Sequence, residues 1–154
     1  METNRKIQFT KIRDVKSPNR ANLNDAGMDF YIPNYSEEFS NDLKAKNKAN
    51  NLQYILDKNT YLEANNKSGI ASKYHLVVGA SVVDADYQGE VHINLCNNGN
   101  TDITIKCGQK LVQFIHQIYL DTDWSEISTT EYNKIDPSDR GAGMAGSTGI
   151  FAKK

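Results

Sequence analysis

Cysteine is scarce in this chain: Cys96 and Cys107 are the only two in 154 residues, and they form no CxxC pair. That argues against a disulfide scaffold and fits a reducing compartment, with both thiols expected as small buried or half-buried side chains. Surplus charge is lacking too, since 18 basic residues face 19 acidic ones. Nothing in that balance suggests a sequence-independent nucleic-acid binder or a membrane-surface protein, so a polyanionic ligand must be met by a few placed groups. No apolar run approaches the length of a membrane span, and the opening METNRKIQFTKIRD is too polar for a signal peptide. The expected location is the cytoplasm, or the host's cytoplasm if the Lys- and Asn-rich composition is that of a virus. His75, His92 and His116 have no metal-ligand spacing, and no Cys or Ser has a nucleophile motif around it. One domain suffices at this length.

What is present is a series of short alternating segments separated by turn formers, the pattern of an all-β sandwich or barrel. Residues 6–12 read as an opening strand, 17–25 as a loop, and 26–32 as extended structure ended by Pro33 and Asn34. Residues 34–66 are polar and weakly periodic. Within them 36–46 could form an exposed helical stretch, and 53–56 and 61–64 two short strands around the turn Asp57-Lys58-Asn59. The stretch GASVVDADYQGEVHINLCN, residues 79–97, places Asp84 and Asp86 beside Tyr87 and the turn pair Gln88-Gly89. It then alternates Val91, Ile93 and Leu95 against Glu90, His92 and Asn94. This predicts a β-hairpin carrying a poised carboxylate. Ile103 and Ile105 resume alternation, residues 106–109 turn, and 111–119 form an apolar strand covered on both faces. Trp124 and Ile127 lie in an acidic connector, with the Trp expected to pack against the body of an assembled oligomer. Residues 136–149 are rich in Gly, Ser and Asp and are expected to be mobile.

Three short groupings carry chemistry. Lys67-Ser68-Gly69 joins a cation, a hydroxyl and bare backbone N–H groups, which suit phosphate oxygens. Asp29, taken alone, is a carboxylate at a turn, and the small Ala26 and Gly27 beside it permit close approach to a ligand. Asp84 sits where a rigid strand could hold a base at a defined distance from substrate.

VVDADYQGEV resembles the third motif of the trimeric dUTP pyrophosphatases, the dUTPases, and the other motifs of that family follow the same order. The first is similar to Ala26-Gly27-Met28-Asp29, the second to Lys67-Ser68-Gly69-Ile70-Ala71 and the fourth to Gly108-Gln109-Lys110-Leu111-Val112-Gln113. The fifth is similar to Arg140-Gly141 through Gly146-Ser147-Thr148-Gly149. The resemblance implies a distorted jelly-roll (β-clip) fold assembled as a homotrimer, each active site drawing on more than one subunit. It implies a body over residues 1–135, divergent at 34–66, and an arm over 136–154 that closes on bound nucleotide.

The implied reaction is Mg²⁺-dependent hydrolysis of dUTP to dUMP and pyrophosphate, with Asp84 as general base for water attack on the α phosphorus. Gly79 through Val83 would read uracil with backbone groups, and Tyr87 would pack beneath the deoxyribose and exclude a 2′-hydroxyl. Lys67, Ser68, Gly69 and Gln113 would meet phosphate, although Gln113 is equally readable as a structural amide at a subunit contact. Arg140, Ala145, Gly146, Ser147 and Thr148 would engage the nucleotide from the arm, while Asp29 would support the site from behind. The metal would have no direct protein ligand, being held by phosphates and water. Membrane and direct nucleic-acid partners are not implied.

Four departures from the family pattern stand out. Lys67 replaces a common Arg, turning a bidentate fork into a point charge. Met144-Ala145 replaces Gly-Phe, and losing the aromatic from the uracil stack should cost about 1 to 3 kcal/mol, with Phe151 a candidate substitute. Ser81 replaces a frequent Gly, and residues 34–66 lack the Thr-Gly pair and Pro turn of relatives. Two rival readings follow. One is dCTP deamination, disfavoured by Asn94 where those enzymes carry Glu. The other is a dUTPase-like nucleotide-binding or regulatory protein with little or no turnover.

Overall fold

Strong period-two burial builds the central sheet. In a computed structural model that describes residues 5–34, 52–138 and 141–142, β4 (Thr60–Asn66) buries Thr60, Leu62 and Ala64 and half-exposes the residues between them. Strand β8 (Val112–Ile118) buries Val112 and Phe114 in the same way and pairs antiparallel with β4 along its whole length. On its other side β8 pairs with β2 (Met28–Phe30), and β4 pairs with β6 (Val82–Asp84), giving the antiparallel order β2-β8-β4-β6. Two ribbons complete the strands: β1 (Gln8–Lys11) with β3 (Leu52–Ile55), and β5 (Leu76–Val78) with β7 (Leu95–Asn97).

The core lies between the sheet and the β1–β3 ribbon. Phe30 meets Phe114 with ring centroids 4.5 Å apart and Tyr54 at 5.9 Å, and Ile32, Leu52, Leu62, Val91 and Ile93 fill in around them. Such aromatic contacts add about 0.5 to 1.5 kcal/mol each beyond area burial. One helix, α1 (Ser68–Tyr74), follows β4 directly and ends on His75 in the left-handed region. The chain divides into two compact units, Met1–Asp121 and Thr122–Lys154. In the second, a short helix α2 (Thr129–Tyr132) starts at Ser128, whose hydroxyl accepts from Glu131 N while the Glu131 carboxylate accepts from Ser128 N, a capping box.

Several expectations meet their outcome here. The opening strand, the extended 26–32 segment and the two short strands around 57–59 are present, with Asn59 supplying the turn at φ 62°. The 106–109 turn is present too, on Gly108 at φ 76°, a conformation that L side chains strain to adopt. The predicted hairpin within 79–97 is not. Its first limb, β6, pairs with β4, while its second limb yields β7, which pairs with β5. Val91 and Ile93 are buried as the alternation required, yet Val91 N donates to Leu52 O rather than to β6. Burial selects the inward side chains, but hydrogen-bond partners are set by which strands the tertiary packing brings alongside.

The turn also sits earlier than expected, with Tyr87 N donating to Asp84 O. Ile103 and Ile105 lie outside any strand, and β8 has only half-buried residues on its second face. Residues 68–74, whose secondary structure the sequence left open, are helical. Both cysteines are exposed, since neither lies on the inward side of its segment. The proposed helix at 36–46 lies outside the described residues.

Candidate active site

Strand pairing places one carboxylate beside two cations. Asp29 on β2 stands opposite Gln113 on β8, and Gln113 stands opposite Asn65 on β4, so the residues just beyond β4 arrive beside Asp29. The Asp29 side chain is buried. It accepts from Lys67 Nζ, at the amino end of α1, and from Lys110 Nζ at 2.6 Å. Burial raises the pKa of this carboxyl, but the hydrogen bonds and charges of Lys110 and Lys67 together outweigh it and hold the group below its ordinary value. Lys110 is shifted upward by the same hydrogen bond and the Asp29 charge, so it stays cationic.

In front of this carboxylate lies an open recess of about 430 Å³ lined by Lys67, Ser68, Gly69, Lys73, Lys110 and Gln113. Three lysines against one carboxylate leave a cationic surface suited to a polyanion. Lys67 provides no side-chain cap to α1, although its backbone oxygen accepts from Ile70 N and Ala71 N, both at 2.9 Å. Gly69 has open space where a side chain would be.

Gln113 is held rather than free, donating from Nε2 to Asn66 O at 3.0 Å. Its side chain lies across Gly27, where an added Cβ would fall 2.2 Å from Oε1, 2.7 Å from Cδ and 3.0 Å from Gln113 Cβ. Gly27 therefore makes room for Gln113, whereas the sequence suggested room for a ligand. Gly27→Ala is expected to push the amide off the recess and cost about 1 to 3 kcal/mol. A urea-unfolding midpoint measured beside phosphate affinity would check this, and an unchanged affinity would contradict the role given to Gly27.

The remaining predicted residues lie elsewhere. Asp84, exposed at the end of β6, pairs with Tyr61. Tyr61 and Asn66 are five residues apart on β4, about 17 Å at about 3.4 Å per residue, so Asp84 sits at the opposite end of that strand from Lys67. Val83 faces Leu62 from β6, and Gly79 lies against Asn94, its N donating to Asn94 O at 3.0 Å. A Cβ at Gly79 would meet Asn94 Oδ1 at 2.1 Å, so a larger residue here would have to displace the Asn94 amide. Tyr87 is partly exposed, its hydroxyl donating to Glu90 O at 2.8 Å. Arg140, Ala145, Gly146, Ser147 and Thr148 lie outside the described residues. Lys73 and Lys110 line the recess without having been singled out from the sequence. Once 68–74 is known to be helical, Gly69 and Lys73 share a face at i, i+4, which was the available signal.

Comparison with known proteins bears on the same residues. A family model described as dUTPase matches residues 13–149. The chain is 32% identical over 157 residues to the deoxyuridine 5'-triphosphate nucleotidohydrolase of Solanum lycopersicum, covering 96% of this chain and 85% of that one. It is 30% identical over 150 residues to the enzyme of the same name from Yarrowia lipolytica, with 97% and 91% covered. Among solved structures it is similar to the Staphylococcus bacteriophage 80alpha dUTPase with dUpNHpp, at TM-score 0.70 and 20% identity over 94% of this chain and 99% of that one. It is also similar to the native EIAV dUTPase, at TM-score 0.59 and 19% identity, covering 84% and 100%. The fold is the jelly-roll, β-clip arrangement of these neighbours.

Proposed function

This chain belongs to the dUTPase family, and from that premise we propose that it hydrolyses dUTP to dUMP and pyrophosphate. The observation that carries the reading is the cationic recess built on Asp29, with Lys67, Ser68, Lys110 and Gln113 converging where a triphosphate would lie. The lysines offset charge on the phosphates, and the Ser68 hydroxyl donates to the oxygen bridging α and β phosphorus. Asp84 accepts a proton from the attacking water as its oxygen bonds to the α phosphorus, and pyrophosphate leaves with the electrons of the broken P–O bond. The Tyr87 ring lies under the deoxyribose, and backbone groups of residues 79–83 take the uracil edge.

Asp84 and the recess stand at opposite ends of β4, so one copy of the chain does not bring base and phosphates together. We place the active site between copies, the recess of one facing the Asp84–Tyr87 loop of the next, in a homotrimer. Arg140, Ser147 and Thr148, by the resemblance of their segment to the family's fifth motif, would engage the bound nucleotide.

The recess offers cationic, hydroxyl and amide groups, which meet phosphate oxygens and leave a metal to the phosphates themselves. That donor set suits a divalent ion arriving on the nucleotide, most simply Mg²⁺ held by phosphate oxygens and water. Such an ion supplies additional charge neutralisation on the phosphates.

Pyrophosphate release from dUTP, dCTP, dTTP and UTP tests the function. Preference for dUTP is expected, though weakened about ten- to hundredfold in affinity by Ala145 in place of an aromatic. Tight nucleotide binding with no release from any of the four would favour a binding or regulatory protein instead.

A further inference from the structure

The loop that carries Tyr87 is gripped from one side by the β1–β3 ribbon. Gln53 Nε2 on β3 donates to Gln88 O at 3.1 Å, and Val91 N donates to Leu52 O, also on β3, at 3.1 Å. Two residues beyond β1, Arg13 reaches across to Glu90 with Nε 3.4 Å from Oε1 and Nη2 3.3 Å from Oε2. Both carboxylate oxygens of Glu90 are thus engaged by one planar guanidinium, which restrains rotation as well as position. The backbone carbonyl of that same Glu90 accepts the Tyr87 hydroxyl at 2.8 Å. Gly89 completes the arrangement, because the Tyr87 ring folds over it so closely that an added Cβ would lie 2.4 Å from Oη and 2.5 Å from Cζ.

We propose that Arg13 is a positioning residue for sugar discrimination: by holding Glu90 it fixes the carbonyl that anchors Tyr87, and so sets where the ring stands against a 2′-hydroxyl. This rests on Tyr87 meeting the deoxyribose in the reading above. Arg13 touches no reacting atom, so its effect appears in the choice between deoxy- and ribonucleotide more than in turnover. A ring free to swing aside admits UTP, whereas dUTP tolerates the looser ring.

The test measures kcat/KM for dUTP and UTP in the full-length protein and in Arg13→Ala, Arg13→Lys, Glu90→Ala, Tyr87→Ala and the Arg13→Ala/Tyr87→Ala pair. In parallel, dissociation constants for the α,β-imido analogues of dUTP and UTP read discrimination without turnover. Arg13→Ala and Glu90→Ala are each expected to lower the deoxy-over-ribo preference by about 3- to 30-fold, chiefly through better use of UTP. Arg13→Lys recovers part of it, and Arg13→Ala adds no further loss once Tyr87 is gone. A lowered melting temperature with an unchanged preference in both readouts would reduce Arg13 to a structural contact and overturn the proposal. Absence of pyrophosphate release from the unmodified protein would instead strike the proposed hydrolysis, while the analogue ratios still decide the role of Arg13.

Discussion

Asp84→Asn is expected to slow pyrophosphate release from dUTP by about 10²- to 10⁴-fold while nucleotide affinity changes only severalfold. The asparagine keeps size and hydrogen bonding but cannot accept the proton that the attacking water must lose. The backbone around Asp84 should be undisturbed, because β6 is held through main-chain pairing with β4 and the side chain is exposed. Single-turnover release and equilibrium binding of the α,β-imido analogue separate the two effects. If the variant released pyrophosphate at the unmodified rate, another group would have to be the base.

Asp29→Asn acts on the opposite end of the site and combines two losses. The carboxylate is buried and shared by Lys67 and Lys110, so removing its charge leaves two ammonium groups without their common partner. Breaking a fully buried pair costs about 3 to 5 kcal/mol, and with both lysines partly exposed about 2 to 3 kcal/mol is expected here. The lysines also lose their fixed positions, so kcat/KM for dUTP should fall by about tenfold or more.

The acid dependence has a definite sign. The folded-state carboxyl is held below its ordinary value by Lys110 and Lys67 against the opposing effect of burial. Its contribution is therefore complete above the unfolded value, near pH 4, and fades as pH falls through the lower folded value. Urea midpoints of the two proteins should differ by a constant amount from about pH 8 to pH 5, and the gap should narrow below about pH 4. A gap that instead narrowed between pH 5 and 8 would show that a different group carries the effect.

Much of the site could be read from the chain because the recognisable motifs are local. Lys67-Ser68-Gly69, Asp84 through Tyr87, and Gln113 each carry their chemistry in a few consecutive residues, and the turns at 57–59 and 106–109 declare themselves through Asn and Gly. Lys110 was part of a quoted motif, yet its partner is 81 residues away, and no local pattern says that two lysines will share Asp29. Lys73 was hidden for a related reason, since its alignment with Gly69 depends on residues 68–74 being helical. The hairpin expectation failed at the same boundary: alternation at 91–95 identified what would be buried, but β6 found β4 and β7 found β5.

By itself, then, the sequence determined the all-β class, the inward-facing residues and the identity of the chemical groups, because side-chain period and turn geometry are properties of neighbouring residues. Tertiary structure alone decided which groups meet. It put Asp29 under two lysines, laid Gln113 over Gly27, and set Asp84 at the far end of β4 from the recess. Those distances follow from strand order and register across the sheet, which long-range packing selects and no short stretch of chain encodes.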